Sequence, residues 1–201
     1  MESNTTAPPH YVIHGDLFGD FDGIPEWRWL FYANLMALLP LGVAAFLLWL
    51  PYQFYIVLGA PLALPEPGWS SLLTSFVGIG MVVASVFLHE VLHGLALRLL
   101  GYRPRLIYAR GFLLATVSGF ITRRDYLIMI LTPITTISIV GAVLLLWLPV
   151  SLGQWLLVAL LLNAAASIGD LAVASRVRRF SAATLFADMD GIKVFVPEMH
   201  S

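Results

Sequence analysis

Residues 71–100 read SLLTSFVGIGMVVASVFLHEVLHGLALRLL. From Ser71 to Leu88 no side chain is charged, and the whole segment is long enough to cross ~30 Å of hydrocarbon, which takes about 20 helical residues. Its second half then breaks the pattern with His89, Glu90 and His93, well before the first arginine at Arg98. The segment reads as a membrane-spanning helix with ionisable groups set inside it.

The rest of the chain agrees. Of 201 residues, 59% are hydrophobic and 11% charged, whereas soluble domains average roughly 45–50% apolar and about 25% charged. Such a chain lacks the polar surface to cover a globule. Eleven basic residues against 12 acidic ones give a net charge of −1, which leaves no electrostatic basis for binding nucleic acid. Cysteine is absent, so disulfides, thiolate catalysis and Cys-based metal sites are excluded. Three further apolar stretches, 29–50, 126–149 and 154–175, are each also long enough to cross. The expected fold is therefore all-α and integral to the membrane, with four transmembrane helices.

Basic residues set the orientation. Residues 51–70 and the link near Ser151 contain no Lys or Arg, while Arg98, Arg103, Arg105, Arg110, Arg123 and Arg124 crowd the middle loop. Arg176, Arg178, Arg179 and Lys193 follow the last span. The positive-inside rule then places that loop and both termini in the cytoplasm. The start of the chain lacks the basic n-region and cleavage site of a signal peptide and is read as retained. The organisation expected is an N-terminal tail (1–27), a four-helix transmembrane domain (28–179) and a C-terminal tail (180–201), in a multi-pass protein of a prokaryotic cell membrane. Residues 103–122, RPRLIYARGFLLATVSGFIT, are rich in β-branched and aromatic residues around Arg110-Gly111. They predict a short β-hairpin or re-entrant element between the second and third spans.

The chemistry centres on His89-Glu90-Val91-Leu92-His93. On a helix, residues i and i+4 share a face, so two imidazoles can address one metal ion. Glu90 sits about 100° around the helix, suited to polarising water rather than binding metal. A glutamate inside a span costs about 2.5–3.5 kcal/mol on insertion scales and is rarely idle. A catalytic zinc site takes three protein ligands plus water, and Asp170 is the acid inside the fourth span. At ~1.5 Å per residue, His93 lies about 7–8 Å and His89 about 13–14 Å from the basic boundary, and Asp170 about 9 Å from the same face. An ion pair with an arginine is the other reading of Asp170. Asn163, seven residues earlier, would share the face of Asp170 and could donate to a developing oxyanion, or make an ordinary interhelical hydrogen bond. Pro133 falls near the same depth, as a path-opening or plain structural kink. His10 and His14 read as incidental, and Asp188–Gly191 lacks the glutamate that closes a calcium loop. The six tryptophans, Trp155 among them, read as interfacial anchors.

With these motifs the sequence resembles the "putative zincin peptidase" family of small polytopic membrane proteins, related to the intramembrane metalloproteases of the site-2-protease type. The resemblance rests on His89-Glu90-Val91-Leu92-His93, on Asn163-Ala-Ala-Ala-Ser167-Ile-Gly169-Asp170 and on Asp190-Gly191-Ile192. It implies a zinc ion (Zn2+) held by His89, His93 and Asp170, with Glu90 as general base. Gly169 precedes Asp170 here, whereas site-2 proteases carry Leu-Asp-Gly. The expected function is a zinc-dependent intramembrane endopeptidase acting on a membrane-embedded protein or peptide and reached from the cytoplasmic side. The alternative is a membrane protein that binds zinc in a structural, scaffold or transport role without hydrolysis. The near absence of polar residues in the far halves of the spans argues against a transport path.

Overall fold

The computed structural model describes residues 7–19, 26–57, 69–109, 112–189 and 191–198. Strand β1 (Tyr11–Asp16) precedes the long helices α1 (Glu26–Val57) and α2 (Trp69–Leu99). The strands β2 (Pro104–Ala109), β3 (Phe112–Val117) and β4 (Ile121–Thr122) lead into α3 (Arg123–Leu145). Then come α4 (Val150–Ala166), α5 (Ile168–Val177), β5 (Leu185–Met189) and β6 (Gly191–Pro197). Among the described residues, three helices are long and apolar enough to cross a membrane, in α1, α2 and α3. The count reaches four if the bent pair of α4 and α5 is one span.

That pair corrects the expectation of an unbroken fourth helix over 154–175. Ser167 sends both its N–H and its hydroxyl to the carbonyl of Asn163, at 3.0 and 2.8 Å. A serine that bonds back to the i−4 carbonyl bends its helix, and the two segments meet at 40°. The spacing of Asn163 and Asp170 is therefore not two turns of one continuous helix.

The fold is also not all-α, because the two tails form strands. Residues 11–16 pair with 193–197 across almost the whole length of the chain, in an antiparallel sheet of order β1-β6-β5-β4. Local sequence gives little notice of a partner that distant. The segment 103–122 does form the expected hairpin: β2 pairs with β3 from Pro104↔Val117 to Ala109↔Phe112, and Arg110-Gly111 lies outside the described residues.

The chain groups into two compact units. The first comprises Met1–Trp29, Glu90–Thr132 and Asp170–Ser201. Its core joins Ala96 and Leu97 of α2, Tyr126, Met129 and Ile130 of α3, Ala174 and Val177 of α5, and Phe186 and Val194 of the sheet. Helix α2 ends there in a Schellman motif: Tyr102 N–H bonds Leu97 O at 3.0 Å and Gly101 N–H bonds Arg98 O at 3.1 Å. Gly101 supplies the φ of +91° that this closure requires. Thr122 caps α3, its hydroxyl oxygen accepting from the N–H of Asp125 at 3.2 Å. The Asp125 carboxylate accepts from Tyr102 at 2.8 Å, and burial with that bond pushes the Tyr102 hydroxyl above its ordinary range.

The described residues of the second unit, Leu30–His89 and Pro133–Gly169, lie mainly in helices. Its large apolar side chains face outward, among them Phe46, Leu50, Phe76 and Trp147, as expected of surfaces that meet lipid. Small residues allow close packing inside it. A Cβ on Gly78 would overlap the Trp155 ring, and one on Gly141 would overlap Leu160. Trp155 thus packs against Gly78 of α2.

The sheet-bearing core predicts an asymmetry in stability. Phe186→Ala removes a fully buried ring and should cost about 3–5 kcal/mol in reversible unfolding from detergent micelles. Phe46→Ala, at a side chain 79% exposed, should change stability by less than about 0.5 kcal/mol. Equal losses would contradict this placement of the core.

Candidate metal centre

His89 and His93 lie one turn apart on α2, and both are buried. A neutral imidazole presents one N–H and one lone pair, so the partner of one nitrogen decides the role of the other. His93 Nδ1 stands 3.0 Å from the carbonyl of Met129. A carbonyl only accepts, so Nδ1 carries the proton and Nε2 keeps the lone pair. This bond has a cause in α3. In an α-helix Met129 O would accept from the N–H of residue 133. Residue 133 is Pro133, inside α3 and fully buried, and it has no N–H. The proline removes the helical partner of the one carbonyl that His93 uses. At the sequence level Pro133 reads only as a kink; its effect on the carbonyl four residues upstream is the signal that finds Met129.

Asp170 stands in the first turn of α5, where the helix dipole favours a carboxylate. His93 Nε2 and Asp170 Oδ1 are 3.6 Å apart. That is too long for a hydrogen bond, and with Nδ1 protonated it brings a lone pair up to a carboxylate. Two such acceptors face each other stably only across a proton or a cation. Ligands about 2.0–2.1 Å from a tetrahedral zinc lie about 3.3–3.4 Å from one another, so the observed separation suits a shared ion. The donor set fits as well, two imidazoles and a carboxylate being common zinc ligands.

In the helical unit, His89 Nδ1 donates to Asn163 Oδ1 at 2.9 Å, and both residues are buried. His89 thus also keeps its lone pair on Nε2. Metal-binding histidines characteristically donate their second ring N–H in this way, which fixes tautomer and ring orientation. Asn163 Nδ2 is buried with no hydrogen-bond partner among the described residues. An unmet buried donor costs about 1–3 kcal/mol, which marks it as a group waiting for an acceptor.

The residues singled out from sequence therefore meet in pairs, His93 with Asp170 and His89 with Asn163, and α2 carries both histidines. Each of His89, His93 and Asp170 offers one ligand atom. Glu90 is half-buried on α2, one residue beyond His89. His10 and His14 join no metal-capable group among the described residues; His14 lies edge-on to Phe180 instead. Asp188 belongs to β5, and Gly191, at φ +106°, opens β6.

The origin of the His93 anchor can be tested through Pro133→Ala. The new N–H competes for Met129 O, while the helix gains back up to about 3 kcal/mol. Zinc titration with thermal unfolding should show affinity falling about tenfold with stability unchanged or raised. Undiminished affinity would contradict this role for Pro133.

Residues 82–185 match the model of a family described as "Putative zincin peptidase". No curated protein matches the chain, and no solved structure does.

Proposed function

We propose, because the chain belongs to the "putative zincin peptidase" family, that it is a zinc-dependent endopeptidase working within the membrane, with His89, His93 and Asp170 as its metal ligands. These three form a set able to hold one metal ion. The observation that carries the reading is the anchoring of both histidines through Nδ1, to Asn163 and to Met129. It leaves both Nε2 lone pairs to one face of α2, with a carboxylate 3.6 Å from one of them.

Zinc bound there supplies Lewis acidity, polarising a peptide carbonyl and making water acidic near neutral pH. The side chains divide the remaining work. Glu90 accepts the proton of the attacking water and returns it to the departing amine. The spare N–H of Asn163 Nδ2 donates to the oxygen on which charge develops, which would meet its unmet donor. The apolar run before His89 limits bulk water to what the cytoplasmic side admits. A substrate helix hides its amides in i→i−4 bonds and must unwind before cleavage. The β2–β3 hairpin, whose strands pair only with each other among the described residues, offers strand edges that would hold the extended segment by β-augmentation.

Glu90→Gln in purified full-length protein should lower turnover of a membrane-embedded peptide substrate by about 10²–10⁴-fold with zinc content unchanged. Asp170→Ala should instead lose zinc on dialysis. Full activity in zinc-loaded Glu90→Gln would remove Glu90 as the base, and undiminished zinc in Asp170→Ala would remove the third ligand.

A further inference from the structure

We propose that the N-terminal strand is a strap that holds Asp170 in place, with Arg176 as the positioning residue. The proposal rests on the reading of Asp170 as a metal ligand. Asp170 lies in the first turn of α5 and Arg176 in the last, about 9 Å apart along the axis. The helix has only ten residues, and it meets the preceding segment at a bend of 40°. A turn of α5 by a single residue would swing Asp170 through about 100°, away from His93. Something must therefore set the rotation of this short helix.

Ala174 and Val177 contribute through the core. They are apolar contacts and tolerate sliding. The directional constraint is Arg176, whose Nη1 donates to the carbonyl of Leu17 at 2.7 Å. Its guanidinium also lies 4.8 Å over the ring of Phe18, so two consecutive N-terminal residues grip one side chain. Arg178 and Arg179, by contrast, are exposed.

The N-terminal end of this link is itself fixed. Leu17 is buried and donates its N–H to Ile192 O at 2.8 Å. Strand β1 runs along β6 from Tyr11↔Pro197 to Asp16↔Lys193, and the ion pair of Asp16 with Lys193, at 2.6 Å, closes that end. A path of directed bonds thus leads from the sheet through Leu17 and Arg176 to α5, whose first turn carries Asp170. Strand β1 is an edge strand whose register shifts between Ile13 and Gly15. The position of Asp170 is accordingly tied to residues more than 150 positions away in sequence.

The test uses full-length protein in detergent with Co2+ as the probe, read by its visible absorption bands and by titration. Arg176→Ala should bind Co2+ about 10–100-fold more weakly with altered bands and unchanged helical circular dichroism. Arg176→Lys, which keeps one donor for Leu17 O, should recover part of both, and Arg178→Ala should match wild type. Wild-type affinity and bands in Arg176→Ala would overturn the proposal. Should that variant lose its helical signal, Phe18→Ala leaves the Leu17 bond in place and should show a smaller change of the same kind; unaltered bands there would also overturn it. Co2+ uptake that survives both His93→Ala and Asp170→Ala would overturn the metal site itself, and the strap with it.

Discussion

The hydrogen bond from His93 to the carbonyl of Met129 is the interaction on which the site depends. An imidazole buried in an apolar helix has to place its proton, because an unmet donor there costs about as much as a lost hydrogen bond. Most carbonyls at that depth are already committed to their own helices. Pro133 withholds an N–H from one of them, and His93 uses it. One backbone irregularity thereby fixes a tautomer, and the tautomer turns Nε2 toward a carboxylate. His89 reaches the same state by a different route, through the side chain of Asn163.

The scarcity of charge gives these contacts their meaning. With 11% charged residues in the chain, each ionisable group away from the tails and helix ends costs free energy that a partner must offset. The sheet-bearing unit contributes in another way. It brings the C-terminal end of α2, the start of α3 and the later part of α5 into one packed core with Phe186 and Val194. That core packs around Ala174 and Val177 of α5, the helix whose first turn carries Asp170.

Much of this was legible in the sequence. The apolar runs located the long helices, and the pattern of 103–122 located the hairpin, because each of these is a local property. His89, His93, Asp170 and Asn163 stood out because polar groups in apolar helices are few. What escaped was nonlocal. The sheet needs residues 11–16 to find 193–197, and no periodicity announces such a pairing. The break at Ser167 depends on a hydroxyl turning back to Asn163 O, a choice that an alanine-rich stretch does not reveal. The packing of the Trp155 ring beside Gly78 is nonlocal in the same way. Pro133 was visible all along; its consequence appears only once Met129 is seen beside His93.

The most direct test of the account is the X-ray absorption spectrum of the zinc-loaded, full-length protein. A site of His89, His93 and Asp170 should give a four-coordinate ion whose nearest shell holds only nitrogen and oxygen at about 2.0–2.2 Å, with the outer-shell scattering of two imidazoles. A spectrum with one imidazole or none, or a six-coordinate shell of oxygens, would contradict it.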